Sequence, residues 1–485
     1  MSGANAKARA AKSAVRELMR VAATTDPLAE RFRAAGHVLY LVGGPVRDAL
    51  LGRLHDDLDF TTDARPEEIL QIVSPLGPTW TTGITFGTVG VLIVDGDVAH
   101  RCEITTYRSD VYEAASRKPE VTFGDTIEGD LARRDFAVNS MAVQLPLQAA
   151  QPIVDPFGGL DDLTNKLLRT PGAPEQSFDD DPLRMLRAAR FAAQLDFAVD
   201  PAAVDAIRRM APRLAIVSAE RIRDELTKLV LAPHPRRGLQ ILVDTGLVEY
   251  CLPELGRLKE TVDEHRRHKD VYAHTLTVLE QAMSLEDGEP DLVLRLAALL
   301  HDIGKPKTKS IGPGGKVSFH HHEVVGRDMT RQRLADLRYP KDVVEDVSRL
   351  VELHLRFHGY AQGEWTDSAV RRYVRDAGPL LDRLHKLTRS DCTTRNAAKA
   401  RALATAYDSL EQRIGELAEQ EDLERIRPDL DGNEIMTILG LKPGPAVGAA
   451  YRHLLDLRIE RGPMSHDEAV AALHRWAIDQ GLGPE

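Results

Sequence analysis

"LVGGPVRDALLGRLHDDLDF", residues 41–60, places two adjacent glycines ahead of a short helical pattern and then crowds carboxylates onto a strand-like run. "HVLYLV" (37–42) reads as a strand. "PVRDALLG" has Pro where a helix favours it, just inside its start, and Gly where helices stop. Asp57 and Asp59 then alternate with Leu58 and Phe60, so both carboxylates face one side of a strand. Two like charges side by side repel and resist burial, and a divalent cation removes both difficulties. Oxygen-rich sites of this kind suit Mg²⁺, held by one or two carboxylates together with substrate phosphates. Paired ions of that type activate a hydroxyl and stabilise a leaving oxygen. Gly43 and Gly44 let backbone amides at the start of the helix approach phosphate oxygens, and Arg47 lies one turn further in. Two glycines also make an ordinary turn, and Asp-x-Asp arises by chance in acidic chains. The joining of both within about a dozen residues, with Arg47 and Asp48 between, is the more specific signal.

Bulk properties narrow the setting. A chain of 485 residues exceeds one core and suggests about three or more domains. No run of ~18 apolar residues appears, so a membrane-spanning helix is not expected. Cys102, Cys251 and Cys392 are far apart and form no CxxC pair, which argues against a disulfide scaffold or zinc ribbon and fits a cytoplasmic location. The N-terminus, "MSGANAKARAAKSAVRELMRVAATT", is Ala-rich and basic but lacks the apolar centre of a secretory signal, and is expected to be a solvated helix. A net charge of −11 requires any grip on nucleic acid to be local. Residues 184–237 qualify, with eleven basic side chains against six acidic ones. Solvation of helix faces explains such runs more often than ligand binding does.

The chain changes character along its length. Residues 35–145 alternate strand-like runs, "FGTVGVLIV" (86–94) and "RCEITTYR" (101–108), with helical ones such as "RPEEILQIV" (65–73). From about residue 176 the pattern is helical to the end, punctuated by Pro, Asp and Ser. "SIGPGGKVS" (310–318) reads as a loop, and "KPGPAVGAA" (442–450) precedes a last helical pair. The expected fold class is α+β: a head with a mixed sheet, then an all-helical body.

Further blocks follow the opening stretch in a fixed order: "RRDFAVNSMA" (133–142), "DPFGGLDDL" (155–163), "DDPLRMLRAARF" (180–191) and "AERIRDELTKLV" (219–230). Together they resemble the class II tRNA nucleotidyltransferase and bacterial poly(A) polymerase family, whose head is polymerase-β-like. The resemblance implies that Asp57 and Asp59 hold catalytic Mg²⁺. It implies nucleotide contacts from Gly43, Gly44, Arg47, Arg134, Asp135 and Asn139, and base selection by Asp181 and Arg184, with Arg187 and Arg190 on the same helix. Asp181, Arg184, Arg187 and Arg190 are spaced three apart and are expected to share a drifting helical face. A carboxylate accepts from an exocyclic amino group and a guanidinium donates to a ring acceptor, a pairing that suits cytosine and adenine alike. Arg187 and Arg190 could instead serve phosphates or structural ion pairs. Asp180 stands where the family usually has Glu. Glu103 is a possible third carboxylate, or an exposed or paired residue. The polar stretch 109–120 matches a mobile loop of the family.

A second constellation lies in "VYAHTLTVLEQA", "LAALLHDIGKPKT", "VSFHHHEVVG", "LVELHLRFHGY" and "TRSDCTTRN". Histidine nitrogens and carboxylate oxygens in this pattern can surround a divalent metal. The blocks resemble the HD phosphohydrolase superfamily over about 265–395. On that pattern His274, His301, Asp302 and Asp391 are core ligands of Mg²⁺ or a transition metal, with His322 and His354 the extra pair of a two-metal subtype. His322 is chosen over His320 and His321 because Glu323 and Gly326 follow it. "GPAVG" in the tail could contact backbone phosphate or be a plain turn.

The domains expected are an N-terminal helical extension (1–34), a nucleotidyltransferase head (35–165), a helical neck (166–260), an HD domain (261–395) and a helical tail (396–485). The function implied is template-independent addition of CCA to tRNA 3′ ends from CTP and ATP. Alternatives are a poly(A) polymerase, an enzyme adding only CC or only A, and a metal-dependent RNA phosphohydrolase with a binding-only head. Intact Asp57 and Asp59 oppose the last.

Overall fold

The computed structural model describes residues 3–111, 120–147, 153–261, 270–313, 317–357, 366–394, 396–421 and 426–482. The chain divides into two compact units, Met1–Pro253 and Glu254–Glu485.

In the first unit the strands are β1 (Leu39–Val42), β2 (Asp57–Thr62), β3 (Thr79–Trp80), β4 (Thr88–Asp95), β5 (Val98–Thr106), β6 (Arg108–Val111), β7 (Glu120–Phe123) and β8 (Ala142–Leu145), with a short parallel pair, Leu167–Leu168 and Ala198–Val199, the second of which interrupts the run expected to be helical from about 176. Six of them form one sheet in the order β3-β4-β5-β2-β1-β8. β2 and β5 run parallel and the other neighbours antiparallel, which makes the sheet mixed, as expected. Strict alternation gives β2 two unlike faces. Leu58 and Phe60 are buried together with Cys102, Ile104, Val89 and Val91 of the adjoining strands. The helices Ala22–Ala34 and Pro66–Val73 pack against the sheet and bury Leu28, Phe32, Ile69 and Val73. Asp57 and Asp59 stand on the opposite, accessible face. β6 and β7 pair as a separate ribbon. Of the stretch 109–120 expected as a loop, 109–111 and 120 belong to this ribbon, and 112–119 lie outside the described residues.

The solvated N-terminal helix is corrected. Residues Gly3–Arg20 and Ala22–Ala34 are two helices, and the first packs on the helix Gly44–Leu51. Ala14, Leu18 and Val21, spaced four and three apart, make an apolar stripe that is buried. A Cβ at Gly52 would stand only 2.7 Å from Ser13 Oγ. Gly52 (φ 76°) closes the helix in the left-handed conformation that glycine tolerates.

The neck comprises the helices Pro174–Asp180, Leu183–Leu195, Pro201–Met210, Ala219–Val230 and Pro235–Thr245. Its basic surplus is largely internal. Arg187 and Arg190 pair with Asp135 and Glu225, Arg209 with Glu175, Arg213 with Asp179, Arg221 with Asp181 and Arg237 with Asp196. Three of those carboxylates lie just upstream of residue 184 and a fourth lies in the head, so the segment taken alone overstates its charge.

Among the described residues the second unit is helical apart from a two-stranded ribbon, Ser310–Ile311 with Val317–Ser318, which stands at the ends of the stretch 310–318 expected to be a loop. Three terminal helices, Gly432–Leu439, Pro445–Arg461 and His466–Asp479, enclose their own core of Leu430, Ile435, Ala450, Leu454, Ala469 and Leu473. Among the described residues no helix is long and apolar enough to cross a membrane.

Candidate functional site

Register, more than sequence, assembles the head site. Asp57 pairs with Arg101 and Asp59 with Glu103 across β2 and β5, so Asp57, Asp59 and Glu103 share one face. Glu103 thus stands directly beside Asp59 while accepting a hydrogen bond from Arg101 at 3.0 Å. Desolvation by surrounding protein, reinforced by the negative charges of Glu103 and Asp57, pushes the Asp59 carboxyl up to about 6 against the pull of Arg134 and Arg47. A cleft of about 210 Å³ opens here, lined by Asp59, Glu103, Thr88, Arg108, Arg133 and Arg134. Accessible carboxylates that repel each other, all with oxygen donors and guanidiniums close by, fit a hard divalent cation bridging to phosphate. Arg108 and Arg133 were not singled out in the sequence, since each stands at the end of a quoted block and carries no spacing signal of its own.

The glycine pair lies on the β1 side of the carboxylates. Gly43 has φ 78° and ψ −130°, and its N–H donates to Met141 O at 3.1 Å. A Cβ there would meet Arg134 Nη1 at 2.7 Å, so the absent side chain is what seats that guanidinium. Arg134 is also paired with Asp130 at 3.2 Å. Burial opposes charge on Asp130, but Arg134 and Arg133 outweigh it and hold the carboxyl below its usual range.

The other expected nucleotide contacts are brought together, but as one buried polar chain. Arg47 donates to Asn139 Oδ1 (2.6 Å), and Asn139 Nδ2 donates to Asp135 Oδ1 (2.9 Å). Arg187 donates twice to Asp135 Oδ2, at 2.8 and 2.5 Å, and Arg190 donates to Glu225 at 2.5 Å. The Phe191 ring lies beneath the guanidiniums of Arg47, Arg187 and Arg190, at 5.3, 5.3 and 3.9 Å. Arg187 and Arg190 therefore hold structural ion pairs here, the second of the two roles open to them.

Asp181 is not on the helical face expected of it. It lies in the break between the helices Pro174–Asp180 and Leu183–Leu195, with φ −143° and ψ 102°. Pro182 disfavours helical backbone at the residue before it. Freed from the helix, Asp181 accepts from Leu183 N (3.1 Å) and from Arg221 (2.7 Å). Arg184 is buried and donates to Ser177 Oγ at 2.9 Å and to Arg133 O at 2.5 Å. Asp180 accepts from Gln176 at 2.7 Å.

In the second unit, six side chains from separate helices and their ends converge. His274 Nε2 lies 3.0 Å from Asp391 Oδ1 and 3.3 Å from His301 Nε2. Asp302 presents Oδ2 to His301 at 3.3 Å and Oδ1 to His322 at 3.3 Å. His354 joins Asp302 and His322 in a second triad whose ligating atoms all lie within 4.8 Å of one another, like those of the first. The Nδ1 atoms of His301, His322 and His354 face the carbonyls of Ala298, Phe319 and Val351 at 2.8, 2.8 and 2.6 Å. His274 Nδ1 meets Thr393 Oγ1 at 3.0 Å. A carbonyl only accepts, so Nδ1 of His301, His322 and His354 carries the proton when each ring is neutral and Nε2 turns inward, the arrangement of metal-ligating histidines, while the Thr393 hydroxyl can donate to or accept from His274. Burial and the nearby His301 push the His354 imidazole down to about 3, so it stays neutral. The donor set fits a two-ion transition-metal centre. Of the three consecutive histidines, His322 turns inward, while His320 and His321 are exposed. Gly304 allows this packing, because a Cβ there would lie 2.1 Å from His322 O.

Residues 39–169 match the poly A polymerase head domain, 196–258 the probable RNA- and SrmB-binding site of polymerase A, and 271–396 the HD domain. The chain is 36% identical over 359 residues to an A-adding tRNA nucleotidyltransferase of Deinococcus radiodurans, covering 72% of this chain and 80% of that one. It is 32% identical to a CCA-adding enzyme of Streptococcus thermophilus, over 91% of this chain and 93% of that one. The crystal structure of the Bacillus stearothermophilus CCA-adding enzyme in complex with CTP superposes with a TM-score of 0.66 at 25% identity, covering 96% and 98% of the two chains. A head sheet bearing paired aspartates, a helical neck and an HD cluster thus occur together with whole-length similarity, and the chain belongs to the family of tRNA nucleotidyltransferases with a poly A polymerase head and an HD domain.

Proposed function

We propose that this nucleotidyltransferase adds C, C and A to the 3′ end of tRNA from CTP and ATP without a template. The observation that carries the reading is the Asp57–Asp59–Glu103 face beside the Gly43/Arg134 seat, in a chain similar over most of its length to CCA-adding enzymes. Mg²⁺ bound by Asp57 and Asp59 would promote ionisation of the attacking hydroxyl and offset charge on the departing pyrophosphate. The chain's own residues do the rest. Amides after Gly43 and the Arg134 guanidinium hold the triphosphate, and the Arg47–Asn139–Asp135–Arg187 chain locks that seat to the neck helix. Asp181 and Arg184 read an amino group beside a ring acceptor, the edge that C and A have in common. Base reading requires both groups to exchange their present partners, Arg221 and Arg133 O, for the nucleotide.

The test is extension of a tRNA transcript that ends at the discriminator base. With CTP alone it should gain two residues, and with both nucleotides three. Asp57→Ala should lower incorporation about 10³-fold or more while leaving RNA binding nearly intact. Retained incorporation would remove Asp57 as a metal ligand. Addition of a single A only to a transcript already ending in CC would favour the A-adding reading, which similarity to the Deinococcus enzyme supports. A long ATP ladder would make it a poly(A) polymerase.

For the second unit we propose a divalent-metal centre held by His274, His301, Asp302, His322, His354 and Asp391, with hydrolysis of a 2′,3′-cyclic or 2′-phosphate on an RNA end as its chemistry. The inward Nε2 set supports the metal. His301→Ala should abolish ring opening of the cyclic phosphate and release of inorganic phosphate from the 2′-phosphate, and spare nucleotide incorporation.

A further inference from the structure

The face that carries the aspartates continues past them, away from the glycine seat. In register, Asp59 of β2 is followed by Glu103 of β5, Gly90 of β4 and Trp80 of β3, one transverse row on one face. Gly90 is a gap in that row. The Trp80 indole fills it, since a Cβ at Gly90 would stand 1.8 Å from Trp80 Cε2. Arg101, on the same face and directly opposite Asp57, lays its guanidinium over the indole at 4.9 Å from the ring centroid. The same guanidinium donates to Glu103 at 3.0 Å, and its side chain is 58% exposed. The result is a layered stack of Gly90 backbone, indole and guanidinium, with the outer side of the guanidinium open and fixed by both its neighbours.

In-line transfer sets where the two substrates enter. The attacking hydroxyl must approach the α-phosphate from the side opposite the leaving pyrophosphate. The triphosphate seat lies on the β1 side of the carboxylates, at Gly43 and Arg134. The RNA end must therefore come over β5, β4 and β3, where Arg101 and Trp80 stand. A cationic plane backed by an aromatic ring suits unpaired bases of any identity, because every base has a stacking face. Tolerance of that kind is needed where the growing end is first the discriminator base and then C.

We infer that Arg101, backed by Trp80, is the stacking platform for the terminal unpaired nucleotide of the RNA, and positions its 3′-hydroxyl beside Asp57 and Asp59. The inference rests on the nucleotidyl-transfer reading above.

Two measurements test it, on full-length wild type, Arg101→Ala, Arg101→Lys, Trp80→Ala and Trp80→Phe. One is filter binding of a radiolabelled tRNA transcript ending in CC, without nucleotide. The other is steady-state ATP addition with RNA and ATP varied in turn. Arg101→Ala and Trp80→Ala should raise Kd and KM for RNA about 5- to 100-fold, with KM for ATP unmoved. Arg101→Lys keeps the charge and loses the plane, so it should resemble Arg101→Ala, whereas Trp80→Phe should lie near wild type. Unchanged RNA affinity in Arg101→Ala, recovery in Arg101→Lys, or a rise in KM for ATP in place of RNA would each overturn the platform. Arg101 is a surface side chain, so its variants keep the test readable if Trp80→Ala fails to fold. Wild type that binds the transcript and extends it with no nucleotide would sink the functional reading, while the binding comparison still judges the platform.

Discussion

Arg187 places Nε and a terminal nitrogen on one oxygen of Asp135, at 2.8 and 2.5 Å, tying the neck helix Leu183–Leu195 to the segment that follows the head's fifth to seventh strands. Asn139 occupies the other oxygen of Asp135 and passes the connection to Arg47, beside the glycine seat. The nucleotide seat and the base-reading helix are thereby joined through buried polar groups, each with a partner. In such a chain, removing one member leaves a charge without its counterpart.

Asp135→Ala should therefore destabilise the first unit by about 3 kcal/mol, read as a fall in the urea midpoint at unchanged slope. Burial opposes ionisation of Asp135, yet Arg187 and Asn139 hold its carboxyl well below the usual range. The stability this supplies is complete above the unfolded value of about 4 and is lost as pH falls below it toward the folded value. Asp135→Asn should flatten that acid limb between about pH 4 and 2. An acid limb identical to wild type would show that the Arg187 pair is not what holds the proton off.

Gly43→Ala should cost about 1–2 kcal/mol through its positive φ, and it should displace Arg134, whose Nη1 lies 2.7 Å from the new Cβ. KM for CTP should rise about tenfold, while RNA affinity stays as it was. An unmoved KM would mean that the triphosphate is seated elsewhere.

Arg184→Ala should relax nucleotide choice more than it slows transfer. Incorporation of UTP and GTP relative to CTP should climb about 10-fold or more, the discrimination that one good base-edge contact supplies. Equal losses with all four nucleotides would assign Arg184 to holding Ser177 and the Arg133 carbonyl, the contacts it makes here.

Metal content separates the two triads of the HD cluster. Protein purified without chelator should carry about two ions per chain by elemental analysis, and His322→Ala about one, since His322 belongs to only one triad. Asp302→Ala should lower both, because its two oxygens face His301 and His322 separately. Equal content in all three proteins would disconnect these side chains from metal.

Local chemistry was legible in the chain itself. Alternation of Asp57, Leu58, Asp59 and Phe60 determines a strand with one polar and one apolar face, because the side-chain period of a strand is two. Pro45 and Gly52 delimit the helix between them, through a fixed φ and a tolerated left-handed one. The spacing of Ala14, Leu18 and Val21 was equally readable as a buried stripe, and the basic composition around it concealed the point. Pro182 likewise announced that Asp181 could not continue a helix.

What required tertiary structure was every relationship carried by distant pairing. Arg47 meets Asn139 at 92 positions' remove and Arg187 meets Asp135 at 52, so no window of sequence shows that these guanidiniums are already taken. Among His320, His321 and His322, the left-handed turn at His321 (φ 60°) starts the helix that carries His322 inward, a choice set by the packing of Gly304 against it. The placing of Trp80 in line with Asp59 depends on strand register across β3, β4, β5 and β2. Residue types and short-range periodicity determined which groups are able to do the chemistry. Register and long-range ion pairing decided which of them face each other, because those depend on backbone hydrogen bonds and burial that form only when the whole unit closes.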